Sequence, residues 1–297
     1  MAPHPERSGA AHRIGVLLCD RANAFWTDME RAYAEMPSGE GVRVECVFPR
    51  CDGAPDRDAQ SAALREMLGR GYDALVVNPI DERNLAPAIL EAAQTGATVF
   101  DVGPKCAPDA MRPAGERYVP VPIADFAGQG RAAASAVLRR IGDRPGTVVL
   151  VAGRDDSVHS RKRVEGMRAV FAPLPSVRCV TLSAGFERGP AREICVRVLA
   201  GIPDAIAFCC ANDEMALGIA EILARDGRKD DIVVAGIDGI PEAVEAIGRR
   251  AMDATVSLPS RVVALRVLGR VRSFLSGAAW TDEELLIGRV IPDEGEA

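Results

Sequence analysis

Aromatic side chains are scarce in this sequence: Phe, Trp and Tyr together are 4% of 297 residues, and histidine occurs three times. Any aromatic beside a turn therefore draws notice. Excess positive charge is missing too. The net charge is −6, and the basic residues are nearly all Arg and scattered, which argues against a nucleic-acid-binding surface. No window holds enough consecutive apolar residues to span a bilayer. The first twelve residues, MAPHPERSGAAH, lack the apolar stretch of a secretory signal and are too short for a helix-turn-helix headpiece. Residues 1–12 are expected to form a disordered tail, and the chain as given reads as cytoplasmic unless a leader is missing from it. There is no Cys-x-x-Cys pair and no Cys/His spacing suited to a metal. Catalytic signatures are absent as well: no GxxxxGK[ST], no GxSxG and no HExxH. Two of the histidines lie in the polar tail, which leaves His159 without an identifiable nucleophile. Gly128-Gln129-Gly130 is only a fragment of a dinucleotide fingerprint. No enzyme is expected, and neither a cofactor nor a metal is implied.

What is present is material for two cores. Hydrophobic residues make up 48% of the chain, and the length suits two domains. Cys46, Cys179, Cys209 and Cys210 lie in apolar strand-like runs and Cys195 in a helical one. The eight cysteines thus read as free thiols, which leans towards a reducing compartment. Arg13–Leu18, Val42–Phe48, Ala74–Asn78 and Ala97–Asp101 read as strands. Helices lie between them, one to about Met36, one at Asp58–Leu68 and one at Asn84–Gln94. A low-structure stretch, Lys105–Gly115, and an extended one, Tyr118–Ile123, come next. The alternation then restarts, with strands at Thr147–Ala152, Val177–Leu182, Ala205–Cys210, Ile232–Ile237, Ala254–Ser257 and Leu285–Ile291. Helices from Phe126–Ile141 to Ser260–Ser276 interleave with them. This predicts an α/β fold of two doubly wound parallel-sheet lobes with helices on both faces. Chain crossings near Ile123, Leu258 and Thr281 are expected to act as a hinge.

Open α/β sheets bind ligands at the carboxyl ends of their strands. Those ends carry Asn23, Phe25, Trp26, Asn78 and Asp101 in the first half, and His159, Arg163, Phe186, Asn212 and Asp238 in the second. Amides, carboxylates, a guanidinium and aromatic faces together suit a neutral polyol in a cleft between the lobes. Each residue has a plainer reading. Asn212 sits where a helix N-cap belongs, Asn78-Pro79 and Asp238-Gly239 are turn pairs, Phe25 and Trp26 fit a core, and Arg163 can pair with Glu165 at the surface.

These stretches also carry a resemblance. ANDEMALG at Ala211–Gly218, the Asn23-Ala24-Phe25-Trp26 loop, LVVNP at Leu75–Pro79, Asp101, Arg161-Lys162-Arg163-Val164-Glu165-Gly166, Gly185-Phe186 and Asp238 are similar to motifs of periplasmic sugar-binding proteins of the ribose-binding type. That family has the type I periplasmic-binding-protein fold, and lactose-repressor-like effector domains are related to it. The likeness runs from Arg13 to Ile291. It implies lobes at 13–123 plus 258–281 and at 124–257 plus 282–297. It also implies a solute-binding protein that captures a monosaccharide or similar small polyol, with the lobes closing on a hinge. A membrane permease of a sugar ABC transporter, or a chemoreceptor, would be its partner. Such a protein would be a monomer in the periplasm. A cytoplasmic ligand-sensing domain without a DNA-binding headpiece is the alternative. Two departures bear on the ligand. Val102 stands where the family often has Arg, which predicts a sugar with an apolar edge there. The segment ATVSLP at Ala254–Pro259 is a residue short, leaving Ser257 as the replacement at a site position.

Overall fold

Runs rich in β-branched residues become strands with both faces covered, as parallel sheets require. The computed structural model describes residues 11–35, 41–51, 55–279 and 284–293. The described residues of Met1–Ala124 with Ser260–Leu285 make one compact unit, and those of Asp125–Pro259 with Leu286–Ala297 make a second. The chain thus passes between units three times. The crossing expected at Thr281 and the helix end expected at Met36 lie outside the described residues.

In the first unit, β1 (His12–Leu17), β2 (Val42–Val47), β3 (Ala74–Val77), β4 (Val99–Val102) and β5 (Tyr118–Val121) run parallel in the order β2-β1-β3-β4-β5. Val76, Val77, Val99 and Phe100 expose nothing. His12 pairs with Val42 as the first residue of β1, so residue 12 belongs to the sheet and not to a tail. The strand path steps outward from β1 to β2 and then back across to β3. Right-handed crossovers therefore put α1 (Ala24–Ala34) and α2 (Arg57–Leu68) on opposite faces. The first packs beside α10 (Ser260–Leu275), the second beside α3 (Ala86–Gln94). An edge-to-face contact between Phe100 and Phe274, 5.3 Å between centroids, ties β4 to α10.

The low-structure stretch expected after β4 is in fact partly helical. Pro108 starts a single helical turn, α4 (Pro108–Met111), and a 3₁₀ turn follows at Arg112–Arg117. Proline in the first turn loses no hydrogen bond, and Met111 and Ala114 are buried under it. That apolar anchoring outweighs the local Pro and Gly content.

The second unit repeats the pattern. Its strands are β6 (Gly146–Ala152), β7 (Val177–Ser183), β8 (Ala205–Cys210), β9 (Val233–Asp238), β10 (Ala254–Ser257) and β11 (Arg289–Ile291), in the order β11-β10-β9-β8-β6-β7. All pairs are parallel except β10–β11. The last strand is shorter than expected because Gly288, at φ 93°, breaks the extended run. On one face α5 (Phe126–Ile141) packs on α6 (Val158–Phe171). Elsewhere α7 (Arg188–Gly201) packs on α8 (Asp213–Arg225), with α9 (Pro241–Gly248) beside α8. Arg188 ties these three helices together by reaching Glu214, Glu221 and Glu242 at 2.7–3.3 Å. All eight cysteines are free. Burial lifts the thiols of Cys46 and Cys195 to about 12, so they behave as small apolar groups.

The α5–α6 contact explains Gly130 of the fingerprint fragment, and Gly166 on the facing helix. A Cβ on Gly130 would collide with the carbonyl of Arg163, and one on Gly166 with the carbonyl of Ala127. The two helices touch backbone to backbone, which only glycine permits. Gly166→Ala is expected to lower stability by about 1–3 kcal/mol through overpacking. Urea unfolding should show a lower midpoint with an unchanged slope, and an unchanged midpoint would mean the helices separate at no cost.

Candidate functional site

Each unit reverses its strand order once, between β1 and β3 in the first and between β6 and β8 in the second. Loops leaving the carboxyl ends there have room for a ligand.

In the first unit, Asn23 caps α1: its Oδ1 accepts from Phe25 N–H at 2.9 Å, satisfying one of the helix's orphan donors. Phe25 and Trp26 follow it, half-buried, edge to face at 4.9 Å. Asn78 leaves β3 and donates from Nδ2 to the Leu17 carbonyl at 3.2 Å, and its own carbonyl accepts from Gln60 Nε2 at 2.8 Å and from the Cys19 thiol. Its side chain therefore locks two strand ends together besides making a turn.

Asp101 at the end of β4 is held by the loop that follows it. It has 0% exposure, and its Oδ2 is taken by Lys105 N–H and Cys106 N–H at 2.8 Å each and by the Tyr118 hydroxyl at 2.6 Å. Burial pushes its carboxyl up, and these donors and the charge of Lys105 pull it back. Val102 is 7% exposed and pairs with Val121 in the sheet. Both residues are thus buried, as Asn78 is at the end of the neighbouring strand. Lys105 also stands past the end of β4, and its Nζ lies 5.1 Å from the Trp26 ring centroid.

In the second unit the gathered residues are Arg163, Asp238, Asn212, Phe186 and His159. Arg163 is not a surface partner of Glu165. It is 8% exposed and its guanidinium is held on three sides. Nε donates to Gln129 at 3.1 Å, Nη1 to the Ala211 carbonyl at 2.7 Å and Nη2 to Asp238 Oδ1 at 3.1 Å. The guanidinium carbon lies 5.7 Å from the Phe126 ring centroid, and that ring stacks on His159 at 4.2 Å. Asn212 caps α8, accepting from Met215 N–H at 3.0 Å, while Nδ2 donates to the Phe186 carbonyl at 3.2 Å. Cap and rim roles thus coexist in one side chain. Phe186, at φ 72°, lies against Gly153, where any Cβ would strike its ring. Ser257, in β10 opposite Asp238, lies against Gly239.

Sequence reasoning missed Lys105, Gln129, Phe126 and Asp213. Asp213 reads as a first-turn acid complementing a helix dipole. In the fold its Oδ2 accepts from Gly239 N–H and Ile240 N–H at 2.7 and 3.0 Å, and its Oδ1 from the Thr255 hydroxyl at 2.7 Å. It pins the turn that aims Asp238, which itself sits at φ 131°, a strained conformation outside glycine.

Burial raises Asp213 to about 7, helped by the negative charge of Asp238 and opposed by its three donors. Burial likewise raises Asp238 to about 6 against the pull of Arg163. Both carboxyls hold protons more tightly folded than unfolded. Their contribution to stability is therefore fully present below the ordinary value of 3.8 and is lost as pH rises through about 6 to 7. Stability from urea unfolding is expected to fall more between about pH 5 and 8 in the wild type than in Asp213→Asn, which cannot ionise there. Parallel pH profiles would remove these carboxyls as the cause.

The chain matches the family model of the periplasmic binding protein domain over residues 14–265. The D-allose-binding periplasmic protein of Escherichia coli (strain K12) is 26% identical over 249 residues, covering 84% of this chain and 79% of that protein. The ribose import binding protein of Bacillus subtilis (strain 168) is 27% identical over 246 residues, covering 82% and 75%. Among solved structures, a periplasmic solute binding protein of an ABC transporter from Actinobacillus succinogenes 130z, with bound D-allose, superposes with a TM-score of 0.85. The identity is 22%, over 96% of this chain and 98% of the other. A solute binding protein from Mycobacterium smegmatis with bound glycerol gives 0.83 at 23% identity, over 97% and 96%. Two α/β units with ligand-competent strand ends and a family match across most of the sequence lead to one conclusion: this chain belongs to the periplasmic binding protein domain family.

Proposed function

We propose that this protein is a solute-binding protein of a sugar ABC transporter, capturing a monosaccharide or similar small polyol. The candidate binding groups are at the carboxyl ends of strands. The observation that carries this reading is the rigid set around Arg163. A buried guanidinium and the Asp238 carboxylate are fixed before any ligand arrives, beside the Asn212 amide and the rings of Phe126 and Phe186. Donors and acceptors in fixed geometry pair with hydroxyls, and aromatic faces cover the apolar side of a sugar ring. Pre-organisation lowers the entropy that binding must overcome. In the first unit, Trp26, Asn23 and Asn78 extend the same chemistry, and in the second Ser257 adds a hydroxyl. The set offers no unpaired buried charge for an ionic ligand. Relatives that bind D-allose and ribose support a sugar as the class, and neighbours with bound D-allose and glycerol fit it. On this reading the protein works in the periplasm, hands its ligand to a membrane permease and performs no catalysis.

Isothermal titration against D-ribose, D-allose, D-fructose, myo-inositol and glycerol tests the proposal. At least one is expected to bind, and Asp238→Asn should weaken it by about 1–3 kcal/mol, the range for a buried hydrogen bond. No binding across the panel would end the reading. Binding is also expected to change the fluorescence of the wild type. Most of that change should disappear in Trp26→Phe, and its persistence would remove Trp26 from the site.

A further inference from the structure

An acid in the first turn of a helix complements the dipole from the surface, and the cap of α8 is already made by Asn212. Asp213 therefore has no local reason to be buried, yet it has 0% exposure, where burial disfavours its charge. Its carboxyl fills space that β9 leaves for it, since a Cβ on Gly236 would collide with Oδ1. Its hydrogen bonds go to one turn. Oδ2 accepts from the N–H groups of Gly239 and Ile240, the two residues after Asp238, at 2.7 and 3.0 Å. Oδ1 accepts from the Thr255 hydroxyl at 2.7 Å, and that hydroxyl in turn accepts from Gly239 N–H at 3.2 Å. The turn needs holding. Asp238 sits at φ 131°, a conformation that costs a residue other than glycine free energy and lasts only where its surroundings impose it. Gly239 follows at φ 73°, with no room for a Cβ against Ser257. That backbone brings Asp238 Oδ1 to 3.1 Å from Arg163 Nη2. The preceding residue acts alike on another loop: Asn212 Nδ2 donates to the carbonyl of Phe186, which sits at φ 72°. The start of α8 thus holds two strained residues at the strand ends.

We propose that Asp213 is a positioning residue for ligand capture: it does not touch the ligand, and it fixes Asp238 in the strained conformation that meets a sugar hydroxyl. This assignment rests on sugar binding by the protein and deepens it. What the role demands is an acceptor for two N–H groups in a fixed place, not a negative charge. A turn left unheld relaxes out of the strained conformation, and the ligand must then restore it, which lowers affinity.

Calorimetry on the full chain with D-ribose, D-allose, D-fructose, myo-inositol and glycerol tests the assignment. In Asp213→Ala, affinity for the compound that the wild type binds is expected to fall about tenfold or more, the scale of one strained backbone conformation. Asp213→Asn keeps an oxygen that accepts both N–H groups, and should restore affinity to within about threefold of the wild type. In an Asp238→Asn background, Asp213→Ala should cost less than about threefold, because residues that act through one another are not additive. A merely structural role would lower stability in both backgrounds and leave the affinity of the folded protein alone. Thr255→Val, of the same shape but without the hydroxyl, provides a second measurement if the alanine variant does not fold. It is expected to weaken binding about threefold or more in the wild type and not in the Asp238→Asn background. Wild-type affinity in the folded variants, equal losses in the two backgrounds, or an asparagine variant no better than alanine overturns the assignment while leaving sugar binding intact. A wild type that binds none of the five compounds counts against the sugar reading itself.

Discussion

A guanidinium taken out of water must have its donors used and its charge answered. Arg163 meets that demand with groups from three places: Gln129 on α5, the Ala211 carbonyl past the end of β8, and Asp238 at the end of β9. Each of these must be where it is for the others to count. Arg163 reaches them only because α6 lies against α5 at backbone distance, which Gly130 and Gly166 allow. Phe126, the first residue of α5, then lies within cation–π range of the same group. One buried cation thus couples helix packing, strand ends and the aromatic wall of the second unit.

The two units use one device to stiffen their strand-end loops. A carboxylate with no exposure accepts two N–H groups from a loop: Asp101 holds the loop after β4, and Asp213 holds the turn after β9. A hydroxyl joins each, from Tyr118 in the first case and Thr255 in the second. Backbone donors have fixed directions, so each loop is set by hydrogen bonds that a flexible side chain could not supply alone. The side chain placed by each loop differs in sign, an ammonium at Lys105 and a carboxylate at Asp238. The cost is electrostatic. Two carboxyls in the second unit sit above their ordinary range because burial disfavours their charge. Strained backbone at Phe186 and Asp238 adds to that cost, as is common where geometry serves binding.

Periodicity and turn chemistry in the sequence by themselves determined the α/β order, the strand-to-helix turn at Asn212 and the residue types at the strand ends. The reason is that local patterning decides which segments lose their faces to solvent and where helices start. Asn23 and Asn212 were legible because an N-cap amide is a local device, satisfied by a backbone N–H two or three residues away. Tertiary structure alone decided which polar groups face one another. The partner of Arg163 is 75 residues distant, not the neighbouring Glu165. Asp101 has the expected residue type at the expected strand end, and one of its oxygens is taken up by the following loop and by Tyr118. Gly130 is only part of a fingerprint fragment in the sequence, and the backbone of α6 lying against it shows why it is glycine. Spacing along a chain carries no information about what burial will leave unpaired. That depends on which distant segments close over a group, as α5, β8 and β9 do over Arg163.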